Sequence, residues 1–148
     1  MSLLGKPVNI VPDTHAIKLI FVKRKVREKV VNVVKERCHS LIIPDLSLEF
    51  EVHIRSFPII VSALRTKLRG KFIPADKPSG AFPKKLERIL RRNGADRWDI
   101  VVAKVAYRRS RERKTLIVSN DECFYKSSPL LHRYKIEVVD VSSFLSEI

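Results

Sequence analysis

Asp13 and Asp121 are the residues most able to do chemistry, because each closes a short apolar, β-branched run. Val8-Asn9-Ile10-Val11-Pro12 ends in Asp13-Thr14, and Thr115-Leu116-Ile117-Val118 ends in Ser119-Asn120-Asp121. A carboxylate at the end of a buried strand sits where such strands present ligands. Further acids follow at positions able to join them. Glu49 and Glu51 lie just after the run Leu41-Ile42-Ile43, and Asp96 and Asp99 stand three residues apart before Ile100-Val101-Val102. Four or five carboxylates gathered from separate segments repel one another unless a hard cation joins them. Mg²⁺ or Mn²⁺ takes oxygen ligands and needs only one or two direct carboxylates beside water and phosphate. Ions so held activate water and stabilise charge on a scissile phosphate, so the chemistry expected is phosphodiester hydrolysis.

Each acid also has a plainer role open to it. Asp13 and Asp96 are good N-cap residues for the helices that follow them. Glu49 and Glu51, two positions apart, cannot both point into one cleft. Asp99, one turn into a helix among apolar neighbours, is the better ligand candidate of its pair. Ser119 is expected to hydrogen-bond and orient a carboxylate or water, with turn formation as its alternative. Cys123 reads as a packed side chain, since no base accompanies it that would make it a nucleophile.

The chain of 148 residues carries 30 Lys and Arg against 16 Asp and Glu, a formal charge of +14. Residues 65–114 hold 17 of those cations and only 5 of the acids. So lopsided a block is the electrostatic footprint of a nucleic-acid-binding face. Within it, Lys84, Lys85, Arg88, Arg91 and Arg92 are the expected phosphate contacts. An interfacial membrane helix is disfavoured, because the basic block lacks a Trp/Phe-rich apolar side. No apolar run approaches the roughly 20 residues of a membrane span, and no leader pattern opens the chain. Cys38 and Cys123 are far apart and suit a reducing compartment, so a cytoplasmic protein is expected. His15, His39, His53 and His132 show no zinc-binding spacing. Glutamine is absent while Lys, Arg and Glu abound, the usage of a thermophile.

The positioning elements follow from periodicity. Val8–Val11, Leu41–Ile43, Leu116–Val118 and Ile136–Val139 read as short buried strands. Helices are expected over about 25–38, from Leu48 to Phe57, from Ile59 to Arg69 after a break or kink at Pro58, over Lys84–Arg92, from Asp96 onward, and over Ser142–Ile148. Trp98, Val101, Val102, Val105 and Ala106 are expected to face inward. Residues 70–83, with Pro74, Pro78, Gly80 and Pro83, read as an irregular connection. Continuous apolar strands separated by helices predict an α/β fold, with a mostly parallel sheet of four to five strands between helix layers.

Four segments in order then resemble the PIN-domain family of metal-dependent ribonucleases. Ile10-Val11-Pro12-Asp13-Thr14 is similar to the opening strand-Asp-Thr, and Ile43-Pro44-Asp45-Leu46-Ser47-Leu48-Glu49-Phe50-Glu51 to the glutamate motif. Asp96-Arg97-Trp98-Asp99-Ile100-Val101-Val102-Ala103-Lys104-Val105-Ala106 resembles the third motif, and Ser119-Asn120-Asp121-Glu122-Cys123-Phe124 the fourth. Family spacing would put the glutamate at Phe50, which leaves Glu49 and Glu51 both open, with Glu49 preferred. The resemblance implies one α/β/α sandwich over residues 1–148, with 70–94 as a basic, Pro-containing insertion that grips RNA. It implies an endoribonuclease of toxin or RNA-processing type. Asp13, Glu49, Asp99 and Asp121 would bind Mg²⁺ or Mn²⁺, Ser119 and Thr14 would orient the site, and Asp96 and Glu51 are further candidates. His15, at a position where the family often has a small polar residue, could reach water or substrate. RNA is the expected partner, although the residues do not choose between RNA and DNA. A second copy of the chain and an antitoxin-like protein are partners by family analogy. The competing expectation is a non-catalytic RNA-binding module with a degenerate metal site.

Overall fold

The computed structural model describes residues 4–45 and 54–148, so Glu49 and Glu51 lie outside the described residues. Five strands form one all-parallel sheet: β1 (Asn9–Pro12), β2 (Ser40–Pro44), β3 (Phe72–Asp76), β4 (Thr115–Val118) and β5 (Ile136–Val139), in the order β3-β2-β1-β4-β5. Every residue of β1 and β4 is buried, as expected of strands covered on both faces. The two pair directly, Asn9 beside Thr115 through Pro12 beside Val118. The chain winds from β1 outward through β2 to β3, then returns to lay β4 on the other side of β1. The winding therefore reverses between β1 and β4, and their carboxyl ends flank the crevice.

Eight helices are described: α1 (Thr14–Phe21), α2 (Arg24–Glu36), α3 (Phe57–Lys67), α4 (Lys84–Arg92), α5 (Arg97–Ser110), α6 (Glu122–Lys126), α7 (Ser128–Arg133) and α8 (Val141–Ser146). α1 packs against α2 and α8, while α5 covers β1, β4 and parts of β2 and β5, and α4 meets α6. Parallel strands joined by helical crossovers carry helices on both faces of the sheet. The result is a three-layer α/β/α sandwich. Its core is one apolar cluster, with Phe21, Phe124 and Phe144 among the largest fully buried side chains.

Two expectations require correction. Residues 70–83 are not irregular throughout, because Phe72–Asp76 is strand β3, paired in parallel with β2. Pro74 is tolerated because β3 lies at the sheet edge, where a missing N–H leaves no central ladder broken. A register shift between Ile42 and Pro44 accommodates the pairing. The segment 70–94 is thus built into the sandwich: it contributes β3, and through Leu86 and Leu90 of α4 it enters the core. Likewise, Pro58 does not kink a helix running in from Leu48. Arg55 and Ser56 form a turn, and Pro58 occupies the first turn of α3, where its lack of an N–H is harmless. The rest of the expected 48–57 helix lies outside the described residues, apart from Ile54, which is not helical.

The amino-terminal end of the sheet is fastened by polar side chains. Asn9, 2% exposed, donates from Nδ2 to the Arg109 carbonyl at 3.0 Å. Arg113 donates to Asn9 Oδ1 at 3.1 Å, to Ser40 Oγ at 2.7 Å and to the Cys38 carbonyl at 3.2 Å. Two strand starts are thereby tied to the α5–β4 connection.

Candidate metal and phosphate site

Asp13 follows β1 and caps α1, its Oδ1 accepting the Ala16 N–H at 2.8 Å. Its Oδ2 accepts a short hydrogen bond from the fully buried Ser119 hydroxyl, across the β1/β4 seam. Ser119 Oγ in turn accepts the Asp121 N–H at 2.9 Å. One serine thus bonds both the Asp13 carboxylate and the Asp121 backbone across the seam. Asp121 caps α6 through the Cys123 N–H at 3.0 Å and is exposed. Asn120, between them, accepts the Val141 N–H at 3.0 Å and so fixes the start of α8.

Asp96 is the N-cap of α5, accepting from the Trp98 and Asp99 N–H groups at 2.9 Å. Asp99 closes the capping box, its Oδ2 accepting the Asp96 N–H at 3.0 Å. Asp96 therefore has the capping role expected of it. Asp99 shares in that cap while also facing the crevice. Asp13, Thr14, His15, Asp96, Trp98, Asp99, Val102 and Asp121 line one pocket of about 140 Å³.

Acids with and without an ion pair both occur among the described residues, and Glu36, Asp45 and Asp140 outside the pocket have no Lys or Arg within 4.0 Å. Glu28, Asp76, Glu87, Glu112, Glu122 and Glu137 each have a cationic Lys or Arg within 4.0 Å. Among the described residues, none of the four pocket aspartates has such an ion pair, and His15 is the sole base lining the pocket. Burial raises Asp13 above the ordinary carboxylate range, opposed by the hydrogen bonds from Ser119 and Ala16, with the Asp121 charge raising it further. Burial also pushes Asp99 up to about 7, and the charges of Asp96 and Asp121 add to the rise. Both carboxyls are held against their ionised forms by dehydration and like charge, the condition a cation would relieve.

Ligand atoms of Asp99, Asp121 and Cys123 lie within 4.8 Å of one another. Burial raises the Cys123 thiol, so it stays protonated at neutral pH and packs as an apolar group. Both oxygens of Asp13, Oδ2 of Asp99 and Oδ1 of Asp121 each accept one of the hydrogen bonds named above and so retain a further lone pair. The aspartates of this group are hard oxygen donors of the kind Mg²⁺ or Mn²⁺ takes.

Two residues at the site were not expected there. Trp98 is only half-buried and lines the pocket, and Tyr125 donates its hydroxyl to the Ser119 carbonyl at 3.0 Å. Tyr125 stands four residues after Asp121, one helical turn on, which is the spacing that could have signalled it. The basic residues Lys84, Lys85, Arg88, Arg91 and Arg92 are all exposed on α4. Leu86 and Leu90 anchor that helix. The helix ends in a Schellman turn: Gly94, at φ 97, donates to Arg91, and Ala95 donates to Leu90. The turn leads directly into Asp96 and the pocket. Arg108 and Arg109 are engaged elsewhere, holding Asp76 at 3.7 and 3.0 Å. Cys38 is exposed and Cys123 buried, both as free thiols. No helix among the described residues is long and apolar enough to cross a membrane. No protein-family model matches the chain, and no curated protein matches it significantly.

Proposed function

We propose that the chain is a Mg²⁺- or Mn²⁺-dependent endoribonuclease of PIN-domain type, hydrolysing RNA phosphodiester bonds in the cytoplasm. The observation that carries this reading is the set of aspartates on one pocket at the β1/β4 switch point, left without a Lys or Arg partner in a chain of charge +14. Asp13, Asp99 and Asp121 would hold the cation, and Glu49 or Glu51 would complete the set. A bound divalent ion supplies Lewis acidity, making water a better nucleophile and stabilising charge on the phosphate.

The protein's own groups do the rest. Ser119 fixes the rotamer of Asp13 and the backbone of Asp121 together, so the two carboxylates keep their relative placement. Thr14 and His15 stand on the pocket wall, where a substrate phosphate would pass. Lys84, Lys85, Arg88, Arg91 and Arg92 provide the positive field that draws a polyanion toward an otherwise repellent acidic pocket. This reading accommodates both a toxin, held by an antitoxin-like protein or a second copy, and an RNA-processing enzyme.

One observation favours a second reading, a non-catalytic RNA-binding module: Asp96 and Asp99 already satisfy each other in a reciprocal capping box. The two readings separate when labelled RNA is incubated with Mn²⁺ and either the wild-type protein or Asp121→Asn. Cleavage by the wild type alone supports the nuclease. Equal cleavage by both, or tight salt-sensitive binding with no cleavage by either, sinks it.

A further inference from the structure

The basic helix does not simply border the acidic pocket. Between them the chain places an arginine and the molecule's single tryptophan. The Arg97 guanidinium lies 4.5 Å from the centre of the Trp98 ring. Arg97 is exposed, whereas the indole is partly buried, packed against the core, and contributes to the pocket wall. Trp98 stands in the first turn of α5, and helical side chains lean toward the N-terminus. That direction carries the ring to the pocket rim beside Asp96 and Asp99. A large aromatic packed on the core, partly open to solvent and covered by an exposed cation, is the construction proteins use to receive a nucleobase.

We propose that the Arg97–Trp98 pair is a stacking platform for one unpaired base of a single-stranded nucleic acid, set at the mouth of the carboxylate pocket. This deepens the ribonuclease reading and rests on it for the identity of the neighbouring phosphate. An exposed cation–π contact is weaker than base–aromatic stacking, so a base displaces the guanidinium. Arg97 is then free to pair with the flanking phosphate, continuing the line of Arg91 and Arg92 that ends at the turn before Asp96. A base in an intact duplex has both faces occupied by its neighbours and cannot enter. The substrate class is therefore unpaired RNA, such as a loop, bulge or single strand.

The single tryptophan makes the contact directly readable. The wild-type protein is titrated in EDTA, so that no cleavage intervenes, with a labelled single-stranded RNA, the same strand carrying one abasic site at each position in turn, and a blunt-ended, fully paired duplex of equal charge. Anisotropy gives affinity and indole emission gives stacking. The expected result is emission quenching by the intact strand and not by the duplex. Abasic substitution at one position should weaken binding roughly 5- to 150-fold. Trp98→Phe should retain affinity, and Trp98→Leu, checked for an unchanged melting profile, should lose it to the same degree. Binding without quenching, equal affinity at every abasic position, or no binding at all would overturn the platform. Mn²⁺-dependent cleavage without quenching removes the platform and leaves the nuclease standing. Quenching without cleavage dependent on Asp121 does the reverse.

Discussion

Asp99→Asn should make the metal-free protein more stable while removing its response to metal. Asparagine preserves the shape of the side chain and can still accept the Asp96 N–H, so the capping box of α5 survives. What it removes is a charge that the fold holds unfavourably, since burial raises the Asp99 midpoint from 3.8 to about 7. A carboxyl moved upward by that much opposes folding by up to ~4 kcal/mol once it is ionised in both states. Asp99 is partly open to solvent, and screening reduces this to ~1–2 kcal/mol. For a chain of this size, each kcal/mol moves the melting temperature by about 2–4 °C. The substitution should therefore raise it by about 2–8 °C at pH 8 in EDTA.

The sign of the pH dependence is fixed by the same shift. The folded midpoint lies above the unfolded one, so the penalty is fully present above pH 7. It shrinks as the pH falls from 7 through 3.8, below which the carboxyl is protonated in both states. The advantage of Asp99→Asn should shrink in step. Added Mn²⁺ should stabilise the wild type and leave the variant nearly unmoved, because only the wild type has a ligand to offer. Scanning calorimetry of both proteins at pH 5 and pH 8, with and without Mn²⁺, tests all three statements. A variant no more stable than wild type in EDTA at pH 8, or an advantage that grows on acidification, would refute the claim that this carboxylate is held under strain.

Three other outcomes follow from named contacts. Mn²⁺ affinity, measured by titration calorimetry, should fall as the pH drops below about 7, because a proton competes for Asp99; a flat profile down to pH 5 would remove Asp99 from the ligand set. Replacing both Arg91 and Arg92 with Glu should weaken RNA binding and lower the slope of log affinity against log salt by about 1.4 or more, at roughly 0.7 per neutralised single-strand phosphate. Arg113→Ala leaves Asn9 Oδ1 buried without its donor and should destabilise the protein by ~1–3 kcal/mol, with no effect on Mn²⁺ affinity at the opposite end of the strands.

What could be read from the residues is what depends on local pattern. β1, β4 and β5 announce themselves as short apolar runs, and α4 was recovered residue for residue because Pro83 and Asn93-Gly94 punctuate it. β3 could not be read this way. Phe72-Ile73-Pro74-Ala75-Asp76 holds a proline and lies among lysines, and its strand character comes from β2 beside it. Edge position is a tertiary property, and it is what makes Pro74 acceptable. The short helices α6 and α7 give too few residues for a helical period to register. Trp98 was expected inward on helical spacing. That spacing assigns faces along a helix axis, but in the first turn the backward lean of the side chain decides the outcome, and the ring reaches the rim.

The site divides along the same line. Asp13 and Asp121 were legible as acids ending buried strands. Their convergence was not, since it required β4 to return beside β1 rather than extend the sheet past β3. Once that strand order is adopted, the two acids fall at neighbouring strand ends, and Ser119 can bridge them. The order also brings α5 over the same strands, with its N-terminus and Asp99 at the crevice. The helix N-terminus softens the repulsion among these carboxylates, as its exposed N–H groups favour negative charge. Burial is still the larger cause that pushes Asp99 up to about 7, and the charges of Asp96 and Asp121 add to it. In a chain with 30 Lys and Arg available, one well-placed cation would have removed the strain. The arginines nearest in sequence are instead turned outward: Arg91 and Arg92 to solvent, and Arg97 onto Trp98. An acidic pocket beside a basic helix is what the proposed reading requires, one part for an ion and the other for a polyanion.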